Sequence, residues 1–131
     1  MSNEPFNAFK EAFRNYVLAG ASVTSLISQR FYGAQLATLF NETYPLAVFW
    51  ANEGKEETYL QDFILNVRGC SDSTYDEAHN IYNVIRDRLN NIVISNRIKV
   101  RPINTPTELY ETDPRIYSVI GRFRIQRILT K

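Results

Sequence analysis

Cysteine is almost absent from this chain: Cys70 stands alone among 131 residues. No internal disulfide is possible, and a reducing compartment is the simple expectation. Histidine is equally scarce, with His79 the single one. A zinc or iron site built from clustered imidazoles and thiolates therefore has no ligand set, and no metal and no cofactor is expected. The five glycines are scattered, so no loop resembles a phosphate cradle. No apolar run is long enough to span a bilayer, which argues against a membrane partner. The N-terminal stretch MSNEPFNAFKEAF is acidic and amphipathic, unlike a secretory signal. Charge of either sign is also in short excess, since the net charge is +1.

What is present is an ordinary globular composition, 44% apolar and 22% charged, in a length that suits one domain spanning residues 1–131. The charge is distributed unevenly. Residues 1–96 hold 7 basic and 11 acidic side chains, a balance of −4, while residues 97–131 hold 8 and 3, a balance of +5. Such an asymmetry suits contact with nucleic acid or an acidic protein, and equally a solvated basic sheet face.

Apolar residues at helical spacing predict a helix over 4–18, through Phe6, Phe9, Phe13, Tyr16 and Val17, with Pro5 in its first turn and Gly20 at its stop. A short helix is expected over 22–28, capped by Ser22. Residues 31–43 then read as an irregular connection, and Pro45 precedes a strand, Leu46–Ala51. A polar turn containing Gly54 joins it to a second strand, expected over 58–70, as a hairpin. The main helix opens on a capping box, Thr74 with Glu77, and carries the stripe Tyr75, Ala78, Tyr82, Ile85 and Leu89, backed by Ile81. Residues 97–103 read as a strand ended or edged by Pro102. Residues 104–114, with two prolines, read as a loop. A last strand is expected over 116–129, with Gly121 marking a bulge or a close approach. The fold class expected is α+β, a mostly antiparallel four-stranded sheet with helices packed on one face.

The strand Leu46–Ala51 is apolar in both phases. Leu46, Val48 and Trp50 point one way and Ala47, Phe49 and Ala51 the other. An antiparallel sheet in a small domain commonly wets one face, so the second face needs a cover. A neighbouring subunit could supply it, and so could residues 31–43 of the same chain. Candidate residues for a subunit or partner interface are Phe49 and Trp50, the polar turn residues Glu53, Lys55 and Glu56, the helix residues Arg86 and Arg88, and Glu108 and Tyr110 of the proline-flanked loop. Candidate lumen- or phosphate-facing residues are Arg97, Lys99, Arg101, Arg122 and Arg124, which could line up on one sheet face. Stacking platforms among them are missing, because Tyr117 and Phe123 fall in the opposite phase. No catalytic residues are expected: Cys70 has no nearby base, and Glu53, Glu56 and Glu57 form a solvated turn rather than a dry acid/base pair.

The succession SVTSLISQRFYG, YPLAVF, STYDEAHNIYNVIRDRLNN and DPRIYSVIGRFRI resembles the tail-completion and tail-terminator proteins of tailed bacteriophages. The corresponding residues are Arg30-Phe31-Tyr32 after a short helix, Tyr44-Pro45 at the first strand, Ser73, Ala78 and Leu89 along the main helix, and Asp113 and Arg115 before the closing strand. The pattern departs from that family in its long segment 33–43. The resemblance implies a structural, non-enzymatic virion protein assembled in the host cytoplasm. It implies a homo-oligomer, a hexameric ring at the head-proximal end of the tail tube, which ends tube polymerisation. Its implied partners are the tail tube protein and a head–tail connector or neck protein, with DNA only as passing cargo. The alternative is a nucleic-acid-binding module that uses the basic C-terminal sheet face.

Overall fold

The computed structural model describes residues 4–34, 43–51, 62–94, 98–112 and 115–127. The element order is α1 (Glu4–Leu18), α2 (Ala21–Ile27), β1 (Phe31–Tyr32), β2 (Leu46–Ala51), β3 (Asp62–Ser71), α3 (Tyr75–Arg88), β4 (Ile92–Ile94), β5 (Ile98–Pro102), β6 (Thr107–Thr112) and β7 (Arg115–Arg127). The class is α+β as expected, but the sheet is larger and mixed. It has seven strands in the order β1-β2-β3-β7-β5-β4, with β6 also paired to β7, and β1 runs parallel to β2.

Three strands escape the four-strand expectation for identifiable reasons. β1 and β4 have two and three residues, too short for an alternation to register. β6 occupies the middle of the expected 104–114 loop, because Thr107–Thr112 is free of proline although Pro106 and Pro114 bracket it. The start of the second strand is Asp62, and residues 52–61 lie outside the described ones. The short helix starts at Ala21 with Gly20 at its cap, and Ser22 makes no cap. The capping box of α3 is present: the Glu77 N–H donates to Thr74 Oγ1 at 3.1 Å.

The larger of two buried clusters lies between the helices and the sheet. Phe9, Phe13 and Val17 of α1, Val23 and Ile27 of α2, and Ala78, Ile81, Tyr82, Ile85 and Leu89 of α3 are all buried. They share one cluster with Phe31, Ala47, Phe49, Leu65, Val67, Val100, Val119, Phe123 and Ile125, which the pairing register puts on one face of the sheet. The helices thus cover that face. α3 sits close because β3 offers Gly69 beneath it, where an added Cβ would come within 3.0 Å of the Ala78 carbonyl oxygen. Gly121 does the same on β7, where a Cβ would run into the Tyr82 hydroxyl. It is a close approach rather than a bulge, since the β3–β7 register runs through it unbroken.

The opposite face is covered differently. Leu46, Val48, Cys70 and Ile116 form a second buried cluster, with Tyr32, Tyr44 and Trp50 packed against it. Leu46 and Val48 are fully buried within the chain itself, so these two side chains need no neighbouring subunit. Tyr32, from the segment expected to be irregular, supplies part of the cover.

Candidate assembly surfaces

Two of the residues expected at an interface are structural ties. Phe49 is 1% exposed, its ring 4.9 Å from that of Phe13 and 4.8 Å from that of Phe31, so its side chain is spent inside the core. Arg88 joins the end of α3 to α1: its Nε donates to the Tyr16 carbonyl at 2.9 Å, and its guanidinium lies 4.3 Å from the centre of the Tyr16 ring. Arg86 is half-buried on α3, beside the Tyr82 hydroxyl. Burial pushes the Tyr82 phenol up, and the Arg86 charge opposes that shift. Trp50 is half-buried on the outer face. Glu53, Lys55, Glu56 and Arg97 lie outside the described residues.

Glu108 and Tyr110 fare differently, because they belong to β6. All six residues of this strand are exposed, and its only ladder among the described residues is to β7. It is nevertheless pinned from both sides. On the helix face, Glu108 Oε2 lies 2.7 Å from His79 Nε2, and Tyr110 stacks at 4.8 Å on Tyr117, which meets Tyr75 edge-on at 5.0 Å. On the outer face, Glu111 accepts from Arg68 Nη2 at 2.9 Å, and Arg68 Nε donates to Ser118 Oγ at 2.9 Å. Arg68 is 8% exposed, so its charge is held by a carboxylate on the exposed strand. His79 is the chain's single histidine, but neither its tie to Glu108 nor that of Arg68 to Glu111 shows in local spacing. The partners lie 29 and 43 residues away, and only the β6–β7 pairing brings them within reach.

The basic residues gather as their phase suggests. Lys99 stands opposite Gln126 and Arg101 opposite Arg124 across β5 and β7, while Arg122 stands opposite Asn66 of β3. Directly opposed residues share a face, so these four cations lie on the outer face. Lys99, Arg101 and Arg122 are exposed and Arg124 is half-buried. Arg122 also marks the gap between β5 and β6. Its N–H donates to Asn104 Oδ1 at 2.8 Å and its carbonyl accepts from Ile103 N–H at 3.0 Å.

An open groove of about 600 Å³ runs along Arg86, Arg101 and the Pro102–Pro106 link. No group of three or more His, Cys, Asp or Glu side chains that could hold a metal occurs among the described residues. Cys70 is buried, and desolvation pushes its thiol up to about 11, against the opposing charge of Arg68. A nucleophile needs the reverse shift. Among the described residues no helix is long and apolar enough to cross a membrane.

No family model and no curated protein matches the chain. Solved structures do. A chain described as part of the virion of a native gene transfer agent particle superposes with a TM-score of 0.68 at 11% identity, over 89% of this chain and 92% of that one. The structure of bacteriophage SPP1 gp17 protein superposes with a TM-score of 0.61 at 11% identity, over 92% and 88%. The fold is shared with virion and phage proteins along nearly its whole length, as the resemblance to phage tail proteins leads one to expect.

Proposed function

We propose that this chain is a structural virion protein of the tail-terminator and tail-completion kind. Six copies form a ring on the head-proximal end of a tail tube, end its polymerisation and join it to the head connector. The observation that carries the proposal is the end-to-end fold match to a chain of a gene transfer agent virion. The side chains fit this reading: the ordered groups that stand out are structural ties and exposed strand edges, and Cys70 is buried with its thiol pushed up.

A ring built head-to-tail needs two unlike surfaces on every subunit. The unequal charge of residues 1–96 and 97–131 supplies unlike surfaces, and complementary charge favours orientation and rate more than affinity. The cations Lys99, Arg101, Arg122 and Arg124 on one face suit a surface turned toward the passing DNA. The test is deletion of the protein in its assembling system. Tubes of uncontrolled length, or tails that fail to join heads, are the expected result.

A second reading, nucleic-acid binding as the main activity, is favoured by the same four cations. It requires affinity for DNA that falls steeply with salt, with a log–log slope of about −0.9 for each phosphate neutralised. The ring reading requires no such affinity in the free subunit.

A further inference from the structure

Arg14, Arg30, Arg68 and Arg88, all buried or half-buried, each have an acceptor. Arg14 donates to the Phe31 and Gln29 carbonyls, Arg30 to the Pro45 carbonyl, Arg68 to Ser118 and Glu111, and Arg88 to the Tyr16 carbonyl. Arg86 differs. Its Nε is enclosed and has no acceptor among the described residues. An enclosed donor on a charged group is costly to leave unmatched, so it calls for a partner.

The surroundings of Arg86 leave room for one. β5 ends at Pro102, opposite Phe123, and β6 begins at Thr107, opposite Ile120. On this side, Gly121 and Arg122 of β7 therefore face the link 103–106 rather than a strand. Tyr82 packs on Gly121 from the helix side, and Arg86 follows one helical turn further along α3. At this seam lies the open groove of about 600 Å³ lined by Arg86, Arg101 and the Pro102–Pro106 link.

The lining is cationic and donor-rich. None of the described residues that line the groove carries a carboxylate. Asn104 Oδ1 is taken by the Arg122 N–H, which fixes the orientation of that amide and leaves its NH2 as a donor. Thr105 adds a hydroxyl.

We propose that this groove binds a carboxylate side chain presented by an acidic peptide segment of another protein chain, with Arg86 as the group that grips it. The planar fork of an arginine matches a carboxylate through two parallel hydrogen bonds. Arg86 is half-buried, so the anion must reach it on a stem, which a glutamate or aspartate side chain provides and the backbone of duplex DNA does not. Pro102, Ile103 and Pro106 offer apolar contact to that stem. A phosphate cradle draws on backbone N–H groups, and this link is poor in them. Two of its five residues are prolines, and the Ile103 N–H is used by the Arg122 carbonyl. The site rests on neither the ring nor the DNA reading of the chain.

The experiment is nuclear magnetic resonance of the nitrogen-labelled full chain, read at the Nε–Hε signals of its arginines. The probes are acetyl-Ala-Glu-Ala-amide, its glutamine counterpart, inorganic phosphate and a short DNA duplex. The glutamyl peptide should shift the Arg86 signal saturably, and the glutamine peptide should not. Arg86→Lys keeps the charge but loses the fork, and it should weaken binding about tenfold, as followed at the amides of the 103–105 link. Arg101→Gln, at an exposed position, should weaken binding with the fold intact. Lys99→Gln removes the same charge outside the groove and should leave binding unchanged. An Arg86 signal that does not move with the glutamyl peptide, an equal response to the glutamine peptide, or equal losses in Arg101→Gln and Lys99→Gln would each overturn the proposal. Tighter binding of phosphate or of the duplex at Arg86 would overturn it too, by making the groove a phosphate site.

Discussion

The hydroxyl of Tyr82 lies on the backbone of Gly121, filling the space that a side chain on β7 would need. The ring of Tyr82 is fully buried, and its oxygen has no well-formed hydrogen bond among the described residues. The contact sets how closely α3 packs on the centre of the sheet. Gly121→Ala should therefore destabilise by about 1–3 kcal/mol through overpacking. Tyr82→Phe removes a poorly satisfied buried hydroxyl, so it should be nearly neutral alone. It removes only the nearest of three clashing atoms, since Cζ and Cε1 of the ring also fall within 3.0 Å of the added Cβ, so it should restore no more than a small part of the loss in Gly121→Ala. Urea unfolding of the two single variants and the double variant measures this coupling. Strict additivity would mean that the two positions do not meet.

Glu111 balances the buried Arg68 from the edge strand. Glu111→Gln should destabilise by about 1–3 kcal/mol, because Arg68 keeps its charge in a dry setting. The value should fall at the low end, since Glu111 itself is 45% exposed and water can reach the site. Thermal unfolding of the variant beside the parent checks this, and hydrogen exchange should show β6 loosening first.

Cys70 makes stability depend on alkaline pH. The folded thiol holds its proton to about 11, against 9.0 for an unburied group. Below pH 9 both states are protonated and the group contributes nothing to the pH slope. Between about 9 and 11 the unfolded chain ionises while the folded one does not. Stability should thus fall as pH rises, by up to about 3 kcal/mol for a shift of this size. Cys70→Ala should flatten the slope in that window. Tyr44 and Tyr82, also raised by burial, add a fall of the same sign at higher pH. An equal slope in the alanine variant would rule Cys70 out as its source.

Phe49 and Trp50 are adjacent on β2 and face opposite ways, so their truncations should differ. Phe49→Ala removes a ring enclosed by Phe13 and Phe31 and should cost about 3–5 kcal/mol. Trp50→Ala, at a half-buried ring, should cost clearly less in the free subunit. Denaturant midpoints of the two variants decide it, and equal losses would mean that Trp50 is as enclosed as Phe49.

The parts of this fold legible in the sequence are those with strong periodicity. The α3 stripe and its Thr74 cap, the Leu46–Ala51 strand and the phase of β7 all depend on local spacing, and all appear where the spacing puts them. β1, β4 and β6 were not legible, because short strands carry no period and β6 is bracketed by prolines. The two-phase apolarity of β2 signalled a covered second face. It did not tell that Tyr32 and Tyr44 of the same chain pack there, since that depends on a β1–β2 pairing no local pattern announces. The alignment of Lys99, Arg101, Arg122 and Arg124 was readable from alternation alone. The ties Arg68–Glu111 and His79–Glu108 were not, because each joins residues brought together only by β6.

The most direct measurement is cryo-electron microscopy of the tails or virions that contain this chain. Six copies in a closed ring at the head-proximal end of the tube, with tubes of uncontrolled length or unjoined tails when the protein is deleted, is the result expected. Tubes that end at their normal length and join heads in its absence, with no density for the chain at that position, would contradict a terminator role.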